Sequence, residues 1–164
     1  MKRIALFLFV SIFAFSIQAQ HVFNAGSVKF NAGVGVPQIN GFIPTVNISG
    51  EVGVIPTGEV GLVSFGGLAE FHLADDGKTF PRFYVGPRAA WHVHAFNSTV
   101  FDVYAGAGFG IVLNGEGKFN NSSINTQADI FVGGRWMYSP STGLFVELGF
   151  TGLSNARFGF TFGF

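Results

Sequence analysis

The 164-residue chain has no cysteine. That rules out disulfide scaffolds, thiolate metal sites, cysteine nucleophiles and a lipid-modified cysteine behind a leader peptide. Charge is scarce as well. Only 11% of residues are Asp, Glu, Lys or Arg, against ~25% in an ordinary soluble domain. Nine basic residues cancel nine acidic ones, so the balance gives nucleic acid no basic face to bind. Beyond residue 17 no apolar run reaches the ~20 residues that a spanning helix needs. What the chain has in excess is phenylalanine, 22 residues, and glycine, 24.

Lys2 and Arg3 precede an almost unbroken apolar run from Ile4 to Ile17, and Gln18-Ala19-Gln20 offers a small residue for a cut after Ala19. This is the layout of a secretory signal peptide. The run is too short for a membrane anchor. The reading is a leader over 1–19 and one β domain over 20–164. Losing Lys2 and Arg3 leaves seven basic and nine acidic residues, so the mature chain carries about −2.

The mature part alternates with a period of two, the period of a strand. Eight strands are expected: Ser27–Val36, Thr45–Ile55, Glu59–Leu73, Arg82–Phe96, Val100–Leu113, Thr126–Tyr138, Leu144–Gly152 and a last one through Arg157–Phe164. One face carries large apolar residues such as Phe30, Ile48, Phe65, Val85, Val103, Phe109, Val132 and Val146. The other carries Gly, Ser and Asn with sparse charges: Lys29, Arg88 and Arg135 against Glu51, Glu70, Asp102, Asp129 and Glu147. Pro87 lacks a ladder donor, so a bulge or register break is expected there. Connections after the first, third and fifth strands read as longer than those after the second, fourth and sixth.

The final stretch is the most explicit. Phe158, Phe160, Phe162 and Phe164 alternate with Gly159, Thr161 and Gly163. All four rings face one side, and no later segment exists in the sequence to cover them. A bilayer would. With no spanning helix, the chain can cross a bilayer only as a closed barrel, which satisfies every strand's backbone in lipid. A secreted β-sandwich would also alternate, but its polar face would be rich in Lys, Glu and Asp rather than Gly, Ser, Asn and Thr.

The leader, the strand count, the loop pattern and the ending Phe158, Phe160, Phe162, Phe164 together resemble the small OmpA/OmpX-type outer-membrane β-barrels of Gram-negative bacteria. The resemblance implies an all-β, eight-stranded antiparallel up-and-down transmembrane barrel in the bacterial outer membrane. It also implies contact with outer-membrane lipid and lipopolysaccharide, insertion by the barrel-assembly machinery using the terminal strand, and a monomer. The expected outer loops are short, whereas adhesive or invasive members often carry long ones.

An eight-stranded barrel is filled by its own side chains, and buried charges need partners. Hairpin geometry predicts a lumen cluster of Asp102, Arg135 and Glu147 with His94 at its edge, Arg135 serving as hub. Glycines such as Gly106, Gly110, Gly149 and Gly159 would make room for long side chains. Ser64, Glu70, His72, His92 and His94 could be read as a hydrolase-like set, but alternation mixes these types on any polar barrel face and no nucleophile-elbow motif is present. A His92/His94 metal pair lacks a third ligand at definite spacing. No catalytic residue, cofactor or metal is expected. The expected function is a structural or surface-interaction role with a plugged lumen. The alternatives are a lipid-modifying outer-membrane enzyme and a minor channel for small solutes.

Overall fold

A computed structural model of the chain describes residues 22–39, 41, 43–94, 98–116 and 122–164. The leader and the cut after Ala19 lie outside the described residues. Eight strands follow in order: β1 (Val28–Pro37), β2 (Thr45–Pro56), β3 (Gly61–Asp75), β4 (Thr79–Val93), β5 (Phe101–Asn114), β6 (Ser123–Met137), β7 (Thr142–Thr151) and β8 (Ser154–Gly163). Each pairs antiparallel with the next, and β8 pairs back to β1, so the sheet closes into an up-and-down barrel. At what we term the near end, Val28 and Phe164 exchange backbone hydrogen bonds of 3.3 and 3.0 Å. The opposite end is the far end.

The period-two pattern decides which side chains fill the barrel. Ten strand charges point inward: Lys29, Arg82, Arg88, Arg135 and Arg157 against Glu51, Glu70, Asp102, Asp129 and Glu147. Among strand residues only Asp75, at the tip of the β3–β4 hairpin, places a charge outside. The outer wall is an uncharged belt with Phe30, Ile48, Phe65, Val85, Phe109, Val132, Val146 and Phe160 all exposed, Phe109 to 69%. Toward the near end the belt is edged by Trp91, Phe101, Trp136 and Tyr138. Trp91 Nε1 donates to Thr57 Oγ1 at 3.1 Å, and the Trp136 and Tyr138 rings meet edge-on. Amphipathic rings in this position suit a membrane–water boundary.

Two expectations are corrected. Pro87 makes no bulge: Gly67↔Pro87 sits in an unbroken β3–β4 register, and β4–β5 pairing lapses at Gly86–Pro87 but resumes unshifted, from Val85↔Ile111 to Arg88↔Gly108. The missing donor interrupts one ladder locally without adding a residue. Register shifts fall instead at Val36/Pro37, Gly53/Ile55 and Leu148/Thr151. Connection length does not separate the two ends either. The third connection shrinks to 76–78 because Ala74↔Phe80 and Asp75↔Thr79 carry pairing to the tip, while the fourth spans 94–100.

Strand overhang does separate the ends. β6 pairs with β7 only from Ile130↔Phe150 onward, so Ser123–Asp129 have β5 on one side and no strand on the other. An open strand edge is not tolerated in hydrocarbon. In a bilayer the lipid boundary at the far end would therefore lie on the near side of this segment and leave the tips of β3–β6 in water.

Candidate functional site: the barrel interior

Near the near mouth, two acids, an arginine and a histidine form a square. Arg135 Nη1 donates to Asp102 Oδ2 at 2.8 Å, and Arg135 Nη2 donates to Glu51 Oε1. His92 bridges the same acids, with Nδ1 3.0 Å from both Asp102 oxygens and Nε2 3.1 Å from Glu51 Oε2. Register explains the meeting: Asp102 lies directly opposite Arg135, and His92 lies opposite Tyr104. The guanidinium also stacks over the Tyr104 ring, 4.4 Å from its centroid. Phe23, ahead of β1 and 1% exposed, lies across this layer with its ring 4.3 Å from that of His92.

The middle layer is built on Glu147. It accepts from Arg88 Nη2 at 3.0 Å, from Tyr104 Oη at 2.9 Å and from Arg157 Nη2. Arg88 Nε also pairs with Asp129 at 3.2 Å, and its guanidinium lies 3.5 Å from the Phe131 ring centroid. Arg157 is directly opposite Glu147 on β8. Glycines opposite large rings leave the space they need: a Cβ on Gly110 would lie 2.5 Å from Tyr84 Cζ, and one on Gly133 2.6 Å from Tyr104 Cζ.

The far layer is apolar at its centre. Leu68, Tyr84, Val112 and Leu153 pack together. Leu153 reaches them because the β7–β8 turn folds into the mouth. Gly152 takes φ +64, and a Cβ there would lie 3.1 Å from both Leu68 and Tyr84, so glycine serves both conformation and space. Glu70 anchors the turn by accepting the Leu153 N–H at 2.7 Å and the Ser154 hydroxyl.

These placements revise the expected cluster. Arg135 and Asp102 are brought together. Glu147 is not with them, because its level partners are Gly133 and Arg157, two residues along from the expected register. The second acid on Arg135 is Glu51. His94 is displaced by His92, and its own Nε2 lies 3.2 Å from the Phe23 carbonyl oxygen. Phe158, Phe160, Phe162 and Phe164 all face outward, Phe164 to 84%. The sequence reading missed Arg157, although its parity with Gly159 and Thr161 directs it inward. It also missed Phe23, which precedes any periodic segment and leaves no signal.

One arrangement invites an enzymatic reading. Ser64 Oγ is 3.0 Å from His92 Nε2, and Asp102 lies behind Nδ1, the order of a nucleophile, a base and its orienting acid. Glu51 spoils it. The Ser64 hydroxyl is 2.5 Å from Glu51 Oε2, and both imidazole nitrogens face carboxylates, so Glu51 competes with Ser64 for the same ring nitrogen. Ser64 is also buried, at 1% exposure.

No family model matches the chain, and no curated protein does. Among solved structures it is similar to Ail, the attachment invasion locus protein of Yersinia pestis, crystallised with the heparin analogue sucrose octasulfate. The two are 12% identical with a TM-score of 0.45, over 84% of this chain and 97% of that one. The architecture stands on this chain's own pairing. It is an eight-stranded up-and-down barrel. Strand number, closure and an uncharged, aromatic-edged outer wall resemble those of small eight-stranded membrane barrels.

Proposed function

We propose that the protein is a non-conducting, non-enzymatic barrel of the bacterial outer membrane, with a structural or surface-interaction role exerted from its far end. What supports this reading is how the described side chains fill the lumen. Five basic and five acidic side chains fill it. Phe23 covers the near mouth and Leu153 the far one, at 1% and 0% exposure. The interior cavity beside Arg88 and Glu147 measures about 10 Å³, no more than about one water. What is left for contact is the outer wall, which lipid covers, and the overhanging tips of β3–β6. The far end then faces outward, and both chain ends face the periplasm.

The test combines location with transport. Membrane fractionation and a heat-modifiable shift on a detergent gel should place a closed barrel in the outer membrane. Purified protein in planar bilayers should give no discrete conductance steps, and in mixed micelles it should turn over no phospholipid. Steps of current would establish the channel reading instead, and lipid turnover abolished by Ser64→Ala the enzymatic one.

A further inference from the structure

One cation at the far mouth lacks what every other inward arginine has. Arg88, Arg135 and Arg157 each pair with a carboxylate. Among the described residues Arg82 forms no ion pair. Its Nε donates to Asn114 Oδ1 at 2.7 Å, while Nη1 is buried without a hydrogen-bond partner and the residue is only 7% exposed. The acid on the same inner face is Glu70, whose oxygens already accept from Leu153 N and Ser154 Oγ. A buried guanidinium edge that has no acceptor is costly.

The surroundings of Arg82 are polar and lie beyond the lipid boundary. His72 is directly opposite it on β3, Asn114 opposite on β5, and Ser123 opposite Asn114 on β6. These four form one row across the overhanging sheet, level with the open edge of β6 that must stand in water. His72 has a second unpartnered buried atom, Nδ1, while its Nε2 lies 3.2 Å from the Ile39 carbonyl oxygen. With Nε occupied, the guanidinium still presents an Nη edge whose planar geometry matches two oxygens of one anion.

We propose that the far mouth holds a binding site for a single oxyanion group, such as a sulfate or phosphate, reached from the water side and seated on the Nη edge of Arg82 beside His72 and Asn114. The anion supplies the hydrogen-bond acceptors that the barrel itself withholds from the Nη edge of Arg82. This site is separate from the sealed-lumen reading. A conducting barrel could bind the anion, and a sealed one could fail to.

The experiment uses isotope-labelled protein refolded in zwitterionic micelles, titrated with sodium sulfate against sodium chloride at equal ionic strength. Backbone amide signals of His72 and Asn114 should shift and saturate with sulfate but not with chloride. Binding should weaken roughly tenfold or more in Arg82→Gln, the loss of a charge-assisted hydrogen bond, and be unchanged in Lys78→Gln at the exposed hairpin tip. If Arg82→Gln does not refold, Arg82→Lys keeps the charge without the fork and should bind measurably more weakly than the parent. The absence of a sulfate-specific shift overturns the proposal, as does equal binding by the Arg82 variants. A shift produced only by vesicles containing phosphatidylglycerol, and not by free sulfate, overturns it too, because it would put the anion on the bilayer side.

Discussion

Arg135 is the most informative residue to remove. It is 2% exposed, donates to both Glu51 and Asp102, and stacks on Tyr104. In Arg135→Ala both acids lose the guanidinium they share, so negative charge in the square goes without its partner. Breaking a buried pair this way costs ~3–5 kcal/mol. With a urea slope of ~1–3 kcal/mol per molar, the unfolding midpoint should fall by roughly 1 M or more. The assay is reversible urea unfolding in lipid vesicles, followed by Trp91 and Trp136 fluorescence. Adding Glu51→Gln and Asp102→Asn should recover much of the loss, because the orphaned charges go with the arginine. Adding Asp102→Asn and Glu147→Gln should recover less, because Glu147 belongs to Arg88 and Arg157, and its neutralisation strands Arg157 and leaves Arg88 with Asp129 alone. If Arg135→Ala is as stable as the parent, or the two triple variants are equally stable, the square does not hold the near layer together.

Other outcomes follow from the same geometry. Val103→Arg or Val132→Arg, on the outer wall, should destabilise by ~2–4 kcal/mol if near the bilayer midplane; Gly106→Arg should instead block closure, because the Phe131 ring already fills that space, and folded yield in vesicles separates the two. Deleting Phe164 or changing it to Ser should lower outer-membrane yield more than Phe109→Ser, if the terminal strand guides assembly; equal yields would remove that role. Glu70→Ala should free the β7–β8 turn and speed amide exchange at Leu153 by roughly ten- to a hundredfold, the equivalent of a lost hydrogen bond to a charged acceptor; unchanged exchange would mean that packing alone holds the turn.

Alternation carried most of the architecture into the sequence. Outward placement of Phe30, Phe65, Val103, Val132 and the terminal phenylalanines could be read directly, because a one-residue slip would turn the whole apolar set inward. A slip of two keeps every facing and changes every partner. That is why the sequence put Tyr104 opposite Arg135 and Glu147 level with it, while the structure puts Asp102 and Phe145 there. The charge count held an unused clue. Three inward basic residues against five acids left two acids over, and Arg82 and Arg157 close that balance. The apolar layer of Leu68, Val112 and Leu153 was hidden, because its members sit among polar neighbours of the same parity and meet only across the barrel.

The closing seam has a consequence in time. Pairing of β1 with β8 joins Lys29 to Gly163 and Val34 to Phe158, nearly the full length of the domain. Contacts so distant in sequence are slow to form, since chain closure must be completed before they contribute. Until the last ten residues have left the ribosome, β1 has no second neighbour, and its edge remains a template for wrong pairing. Every earlier hairpin can be complete and the ring still open. The barrel therefore closes only when β8 is in place, and until then the free edge of β1 has to be kept from wrong partners.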